Sequence, residues 1–244
     1  YRQFNQFGVE AIGAENPSVD AEVLAMVMHI YQSFGLKHLK LVINSVGDMA
    51  SRKEYNEALV KHFEPVIHEF CSDCQSRLHT NPMRILDCKV DRDKEAIKTA
   101  PRITDFLNEE SKAYYEQVKA YLDDLDIPYI EDPNLVRGLD YYTHTAFELM
   151  MDNPNYDGAI TTLCGGVRYH GLLELLDGPS ETGIGFALSI ERLLLALEEE
   201  GIELDIEESL DLFIVTMGDQ ADRYAVKLLN HLRHNGIKAD KDYL

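Results

Sequence analysis

The alternation of apolar and polar residues changes period several times along the chain, and each change marks an element. Near the start the period is two. Phe4, Gln6, Gly8 and Glu10 fall on one face of an extended segment and Phe7, Val9 and Ala11 on the other, which predicts a strand whose second face is core. The first face sets an aromatic ring, an amide and a carboxylate around a glycine, and the missing side chain leaves a space between them. The period then lengthens. Leu24, Val27, Met28, Tyr31 and Phe34 recur at helical spacing, predicting a helix from about Val19 to Phe34 with Gly35 as its stop. A strand over His38–Asn44 follows. Next, Ser51-Arg-Lys-Glu54 has the form of a capping box, opening a helix with Tyr55, Ala58, Leu59, His62 and Phe63 on one stripe.

From Ser51 to about Leu125 the pattern is helix and connector, with Pro65 breaking the first helix and a later helix over Ser111–Leu125 turning Tyr114, Val118, Tyr121, Leu122 and Leu125 inward. Strand character resumes at Ile127–Glu131, within Leu135–Leu149 and around Ala159–Cys164. In Gly183–Leu193 a strand runs into a helix whose stripe is Ile190, Leu193, Leu194 and Leu197, leaving Glu191 and Arg192 off it. Strands on both sides of a helical block predict an α+β chain with a mixed, mainly antiparallel sheet flanked by helices, rather than a βαβ repeat. Leu210–Thr216 reads as a buried-type strand and Gln220–His234 as a helix stopped by Gly236, so one further βα unit begins there.

Composition narrows the classes. A chain of 244 residues with 45% apolar content can bury a sizeable core, and it has no apolar run of the roughly eighteen residues that a membrane span needs. Tyr1–Phe7 carries neither an initiator Met nor a signal-peptide core, so the chain is expected to be cut from something longer. Four cysteines are too few for a disulfide framework, and a reducing cytoplasm is expected. The formal charge of −20 speaks against a polyanion partner. That objection is weakened because eight acids sit in the single run Glu198–Asp211, which reads as a solvated connector.

The densest candidate chemistry lies in Leu135–Leu149. There Arg137 offers a planar fork for carboxylate or phosphate, Gly138 permits close backbone approach, and Tyr141 and Tyr142 carry hydroxyls on rigid rings. The competing reading of this stretch alone is an ordinary hairpin. Arg192, near a strand-to-helix junction, is a candidate phosphate clamp or a surface salt-bridging arginine, and no GxxxxGK[ST] loop is present. Cys71-Ser-Asp-Cys74, with Cys88, His68 and His79 nearby, lacks a second CxxC. It reads first as thiols, with structural zinc the lesser alternative, and no protein-held metal is expected.

Taken together, Arg2–Glu10, Leu135–Tyr142, Gly165–Tyr169 and Gly183–Arg192 resemble, in order and spacing, the histidyl-tRNA synthetase family of class II aminoacyl-tRNA synthetases. The first block is similar to the second half of motif 2, the next two to the histidine-specific motifs and the last to motif 3. The resemblance covers essentially the whole chain. It implies a catalytic core at 1–50 and 127–200, a helical insertion domain at 51–126 containing the recurrent stretch Asn81–Asp87, an acidic linker at 201–209, and the start of an anticodon-binding α/β domain at 210–244.

By the same resemblance, Phe4 stacks on the adenine of ATP, Gln6 holds the amino group of L-histidine and Glu10 reads its imidazole. Arg137, the expected catalytic residue, pairs with the substrate carboxylate and the α-phosphate. Tyr141 and Tyr142 line the imidazole pocket, and Arg192 holds the γ-phosphate. The implied reaction forms histidyl-adenylate from histidine and ATP with Mg²⁺, then transfers the histidyl group to its tRNA. A homodimer is implied through motif 1. Three positions depart from the family pattern: Val167 stands at a usual glycine, His170 at an Asp or Asn, and Ser189 at a glycine. Motif 1 and the first half of motif 2 are absent, so the chain by itself is expected to be inactive. Two other readings belong to the same lineage: a histidine-binding regulatory subunit of ATP phosphoribosyltransferase, and a tRNA-sensing module fused to a kinase.

Overall fold

A computed structural model of the chain describes residues 3–136, 141–153, 162–204 and 209–243. Arg137–Asp140, Ala159–Thr161 of the expected third strand segment, and part of the acidic connector lie outside the described residues. The chain divides into two units, Tyr1–Ile202 and Glu203–Leu244.

In the first unit β1 (Gln6–Ile12), α1 (Pro17–Ser33), β2 (Leu39–Ser45) and α2 (Met49–Phe63) come first. The short helices α3 (Ser72–Thr80) and α4 (Glu95–Lys98) precede α5 (Glu109–Asp124). Strands β3 (Tyr129–Glu131), β4 (Tyr142–Met151) and β5 (Thr162–His170) then lead to α6 (Leu172–Leu175), β6 (Thr182–Ser189) and α7 (Ile190–Glu199). Six strands form one sheet in the order β1-β6-β5-β4-β2-β3, antiparallel at every pairing except β2 with β3. This is the mixed, mainly antiparallel sheet that the pattern predicts.

Each face of the sheet has its own apolar cluster. On one face Leu41, Ile43, Phe147, Leu149, Ile184 and Phe186 pack under helices α1, α5 and α7. On the other, Ala146 and Val167 join a cluster built from Tyr55, Leu59 and Phe63 of α2 with Cys74, Leu78 and Ile85. Helix α5 buries Tyr115, Val118 and Leu122 in the first cluster, against α1. Helix α5, inside the segment expected as a helical insertion, thus turns its buried stripe to the sheet core.

Several side chains expected inside are exposed. Phe7 opens an edge strand, where the apolar cover reaches only Val9 and Ala11. Phe34 is the C-cap of α1 rather than part of its stripe. In α5 the buried ring is Tyr115, while Tyr121 and Leu125 face out. In α7 Leu193, Ala196 and Leu197 are buried, and Ile190 and Leu194 are exposed. The cap of α2 is Asp48, whose Oδ1 accepts from the amide of Ser51 at 2.8 Å, so the helix starts before the expected box.

The second unit pairs β7 (Leu212–Ile214) with β8 (Ala239–Lys241) in parallel, joined by α8 (Asp219–His234). The βα unit is as expected, but β7 is not buried: Leu212 and Phe213 are exposed. With two strands and one helix among the described residues, there is too little apolar surface here to cover both faces of a parallel strand. No described helix is long and apolar enough to cross a membrane.

Candidate active site

Antiparallel register decides which side chains share a face. On β1, Gln6, Gly8 and Glu10 stand opposite Ser189, Ala187 and Gly185 of β6. Ala187 and Gly185 in turn stand opposite Gly165 and Val167 of β5, and those opposite Glu148 and Ala146 of β4. The floor so formed is built largely of glycine and alanine, and the polar groups of β1 stand at its edge. The single-face placement of Gln6 and Glu10 thus agrees with the period-two reading.

Glu10 is held in a fixed place. The hydroxyl of Tyr169 donates to its Oε2 at 2.9 Å. Both side chains lie over glycines: a Cβ on Gly185 would come 2.1 Å from Glu10 Oε2, and one on Gly183 would come 2.5 Å from the Tyr169 ring. Burial, then the bond to Glu10, pushes the Tyr169 hydroxyl up to about 12, so it stays a donor. Tyr141 meets Tyr169 edge to face at 6.4 Å and Tyr142 at 4.9 Å between ring centroids. Three aromatic rings thus gather beside Glu10. Tyr169 had no role in the sequence reading, although it lies in the Gly165–Tyr169 motif and shares the parity of Val167.

A second region meets the same face of β1 at Gln6. Phe4, Gln6 and Arg192 line one cavity of ≈ 630 Å³ with Asp87, Lys89, Glu148 and Thr162. A neighbouring cavity of ≈ 740 Å³ shares Asp87, Lys89, Glu148, Thr162 and Arg192, and adds Leu135 and Val136. The segment carrying Phe4 is tied down by Asn5, whose amide and side-chain nitrogen donate to Glu191 Oε1 at 2.8 and 2.9 Å. Glu191, placed off the apolar stripe, therefore positions the aromatic residue beside Arg192. Arg192 itself donates to the carbonyl of Thr162 at 2.6 Å. Phe4, Gln6 and Arg192 are thus brought together, as are Glu10, Tyr141 and Tyr142. Arg137, the expected catalytic residue, lies outside the described residues.

The three departures have different consequences. Ser189 is the N-cap of α7 and accepts from the amide of Arg192 at 3.4 Å, a contact of the kind that contributes ~1 kcal/mol to a helix start. His170 falls on the face opposite Tyr169, and its amide donates to the carbonyl of Tyr141 at 3.0 Å. Val167 is buried on the site floor between Gly185 and Ala146, next in register to Glu10.

The family profile described as histidyl-tRNA synthetase matches residues 1–193. The chain belongs to the histidyl-tRNA synthetase family. Proteins named histidine--tRNA ligase from Staphylococcus aureus strains JH9 and Newman are 98% identical to it over 244 residues, all of this chain and 58% of each relative. The chain therefore spans less than two thirds of these relatives. The crystal structure of apo S. aureus histidyl-tRNA synthetase aligns at a TM-score of 0.76 with 93% identity, covering 100% of this chain and 60% of that one. A Bacillus halodurans structure named as an ATP phosphoribosyltransferase regulatory subunit/histidyl-tRNA synthetase aligns at 0.53 with 22% identity over 98% of this chain and 62% of its own. At that distance only the fold is shared.

On the same side of the sheet, Cys71, Cys74 and Cys88 converge with Asp91. Neither His68 nor His79 belongs to that group; His68 instead lies 3.8 Å from Glu69 at the surface. Buried Arg168 pairs with buried Asp20 of α1, donating through Nε at 2.9 Å and also through Nη2, and reaches Thr182 and the carbonyl of Ala14 at 2.9 Å. It fastens β5 to α1 from behind the site.

Proposed function

We propose that the full-length protein carrying this chain attaches L-histidine to its cognate tRNA through histidyl-adenylate. The observation that carries this reading is the Glu10–Tyr169 pair, edged by Tyr141 and Tyr142 and on the same strand face as Gln6, which lines a groove with Phe4 and Arg192. A carboxylate with its other side braced by a hydroxyl is suited to accept from an imidazole N–H, and a side chain unable to pair would leave it unsatisfied. Gln6, between the two regions, holds the amino group. The ring of Phe4 offers adenine a stacking surface, and Arg192 neutralises the terminal phosphate.

Arg137 is the proposed catalytic residue. Its neighbours in sequence support this, since Val136 lies at the nucleotide groove and Tyr141 beside Tyr169, the partner of Glu10. From such a position a guanidinium bridges the histidine carboxylate and the α-phosphate and stabilises the charge that grows as oxygen attacks phosphorus in line. The attack forms the carboxyl–phosphate bond as pyrophosphate leaves; the tRNA ribose hydroxyl then takes the histidyl group, and AMP leaves. Glu148 and Asp87, the hard oxygen donors of the groove, are suited to hold the Mg²⁺ that accompanies ATP and screens its phosphates. A homodimer in the cytoplasm completes the proposal, in keeping with four cysteines that form no disulfide.

The test is histidine-dependent ATP–pyrophosphate exchange and tRNA charging by the full-length protein. Exchange with histidine alone among the amino acids, followed by charging, is expected. Histidine binding with neither exchange nor charging would instead select the regulatory-subunit reading.

A further inference from the structure

The sulphurs of Cys71, Cys74 and Cys88 and one carboxylate oxygen of Asp91 all lie within 4.8 Å of one another. Cys71 Sγ is 3.7 Å from Cys88 Sγ, and Cys88 Sγ is 3.5 Å from Asp91 Oδ2. A tetrahedral zinc ion with bonds of about 2.3 Å to sulphur and 2.1 Å to oxygen would set its ligands about 3.8 Å apart for two sulphurs and about 3.6 Å for sulphur and oxygen. The Cys71–Cys88 and Cys88–Asp91 separations match such a shell, and 3.7 Å between two sulphurs is too long for a disulfide.

The surroundings are those of a closed site. Cys74, Cys88 and Asp91 are buried, and Cys71 is half-buried as the N-cap residue of α3. Asp91 Oδ2 also accepts from the amide of Cys71 at 3.0 Å, and its Oδ1 faces Lys94 at 3.8 Å, so one lysine partly offsets the charge. Four donors leave no open coordination position for chemistry.

We propose that Cys71, Cys74, Cys88 and Asp91 bind one structural zinc ion. Three thiols release three protons as Zn²⁺ takes three thiolates and the carboxylate, with no change of oxidation state. Thiolate donors select zinc over the hard cations Mg²⁺ and Ca²⁺. The ion ties the start of α3 to the turn at 88–91. That turn is continuous with Asp87 and Lys89, which line the nucleotide groove, and Arg92, which lines its neighbour, so the metal would fix the wall of that groove.

The experiment is metal analysis of the full-length protein, purified without chelators or metal-affinity steps, followed by exchange with Co²⁺. About one zinc per chain is expected, with cobalt giving the visible bands of a tetrahedral thiolate site. Cys88→Ser should lose the metal, and Cys164→Ser, altered in the sheet core, should keep it. Should Cys88→Ser fail to fold, Asp91→Asn, close in shape, is expected to give up zinc to a chelator at least about tenfold faster than wild type. Wild-type protein that is free of zinc and gives no cobalt spectrum, or that carries a Cys71–Cys88 disulfide when isolated under reducing conditions, overturns the proposal. Equal rates of zinc loss from wild type and Asp91→Asn remove Asp91 from it.

Discussion

Tyr169 and Glu10 are 159 positions apart in sequence and meet at 2.9 Å across β6, because the strand between them offers Gly183 and Gly185 where side chains would stand. The pair is the most specific polar feature of the floor. Removing the hydroxyl by Tyr169→Phe takes away one charge-assisted bond, a loss of about 1.5–3 kcal/mol in such settings. Histidine KM should rise roughly 10- to 100-fold, with ATP KM little changed. Glu10→Gln should be worse, since it removes the negative charge from the proposed acceptor for the imidazole as well as from the bond to Tyr169. Exchange kinetics with each substrate varied in turn would show it; equal effects on both KM values would count against the assignment.

The glycine floor sets a second expectation. A methyl group at Gly185 would overlap the carboxylate of Glu10 and come within 2.5 Å of the carbonyl oxygen of Val9, and that backbone atom cannot swing away. Gly185→Ala is therefore expected to raise histidine KM and to cost about 1–3 kcal/mol of stability through overpacking. Val167→Gly acts in the opposite sense on the same row. Removing the isopropyl group next to Glu10 is expected to lower histidine KM while reducing thermal stability, and calorimetry beside exchange kinetics separates the two effects.

Arg192 faces the proposed nucleotide groove from the first turn of α7. Arg192→Ala should weaken ATP binding by about tenfold or more and leave histidine binding close to wild type. Isothermal titration with each ligand measures this directly.

The Asp20–Arg168 pair is buried at both ends, with side chains 0% and 2% exposed. Asp20→Ala leaves a guanidinium without its counter-charge and is expected to destabilise the fold by about 3–5 kcal/mol in urea unfolding. Replacing both partners by apolar residues should recover much of that loss. A double variant no better than the single one would show that the pair's worth lies in its geometry.

Burial pushes the His144 imidazole below its ordinary 6.5, and the nearby Arg168 adds to the effect. The folded chain therefore takes up this proton less readily than the unfolded chain. Its contribution to stability is complete above about pH 6.5 and declines as pH falls toward the lower folded value. His144 has a φ of 49°, which Asn tolerates better than most residues. His144→Asn is thus expected to flatten the fall in Tm between about pH 7 and 5, and unchanged steepness would assign that fall to other groups.

The sheet, the βα unit at the end of the chain and the polar face of β1 were legible because period two and period 3.6 are local signals. Element ends were less so. Asp48 rather than Ser51 caps α2, and Phe34 and Leu125 fall just past their helices, where the periodic pattern continues but the burial stops. Phe7 shows the same limit in a strand: alternation says which face a residue takes, and not whether anything covers that face at the sheet edge.

By itself, the sequence determined which chemical groups are available and on which face of each element they lie: Phe4, Gln6 and Glu10 together, Arg192 at a strand-to-helix junction, and two tyrosines beside Arg137. The tertiary structure alone decided their company. Register across three strands brings Tyr169 to Glu10, a turn brings Asp91 rather than a histidine to the three cysteines, and helix packing brings Asp20 to Arg168. Each of these is a short-range bond or donor cluster closed by backbone pairing and packing elsewhere in the chain. Local periodicity carries no record of such closures, because their geometry is set only when the whole sheet and its two apolar clusters form.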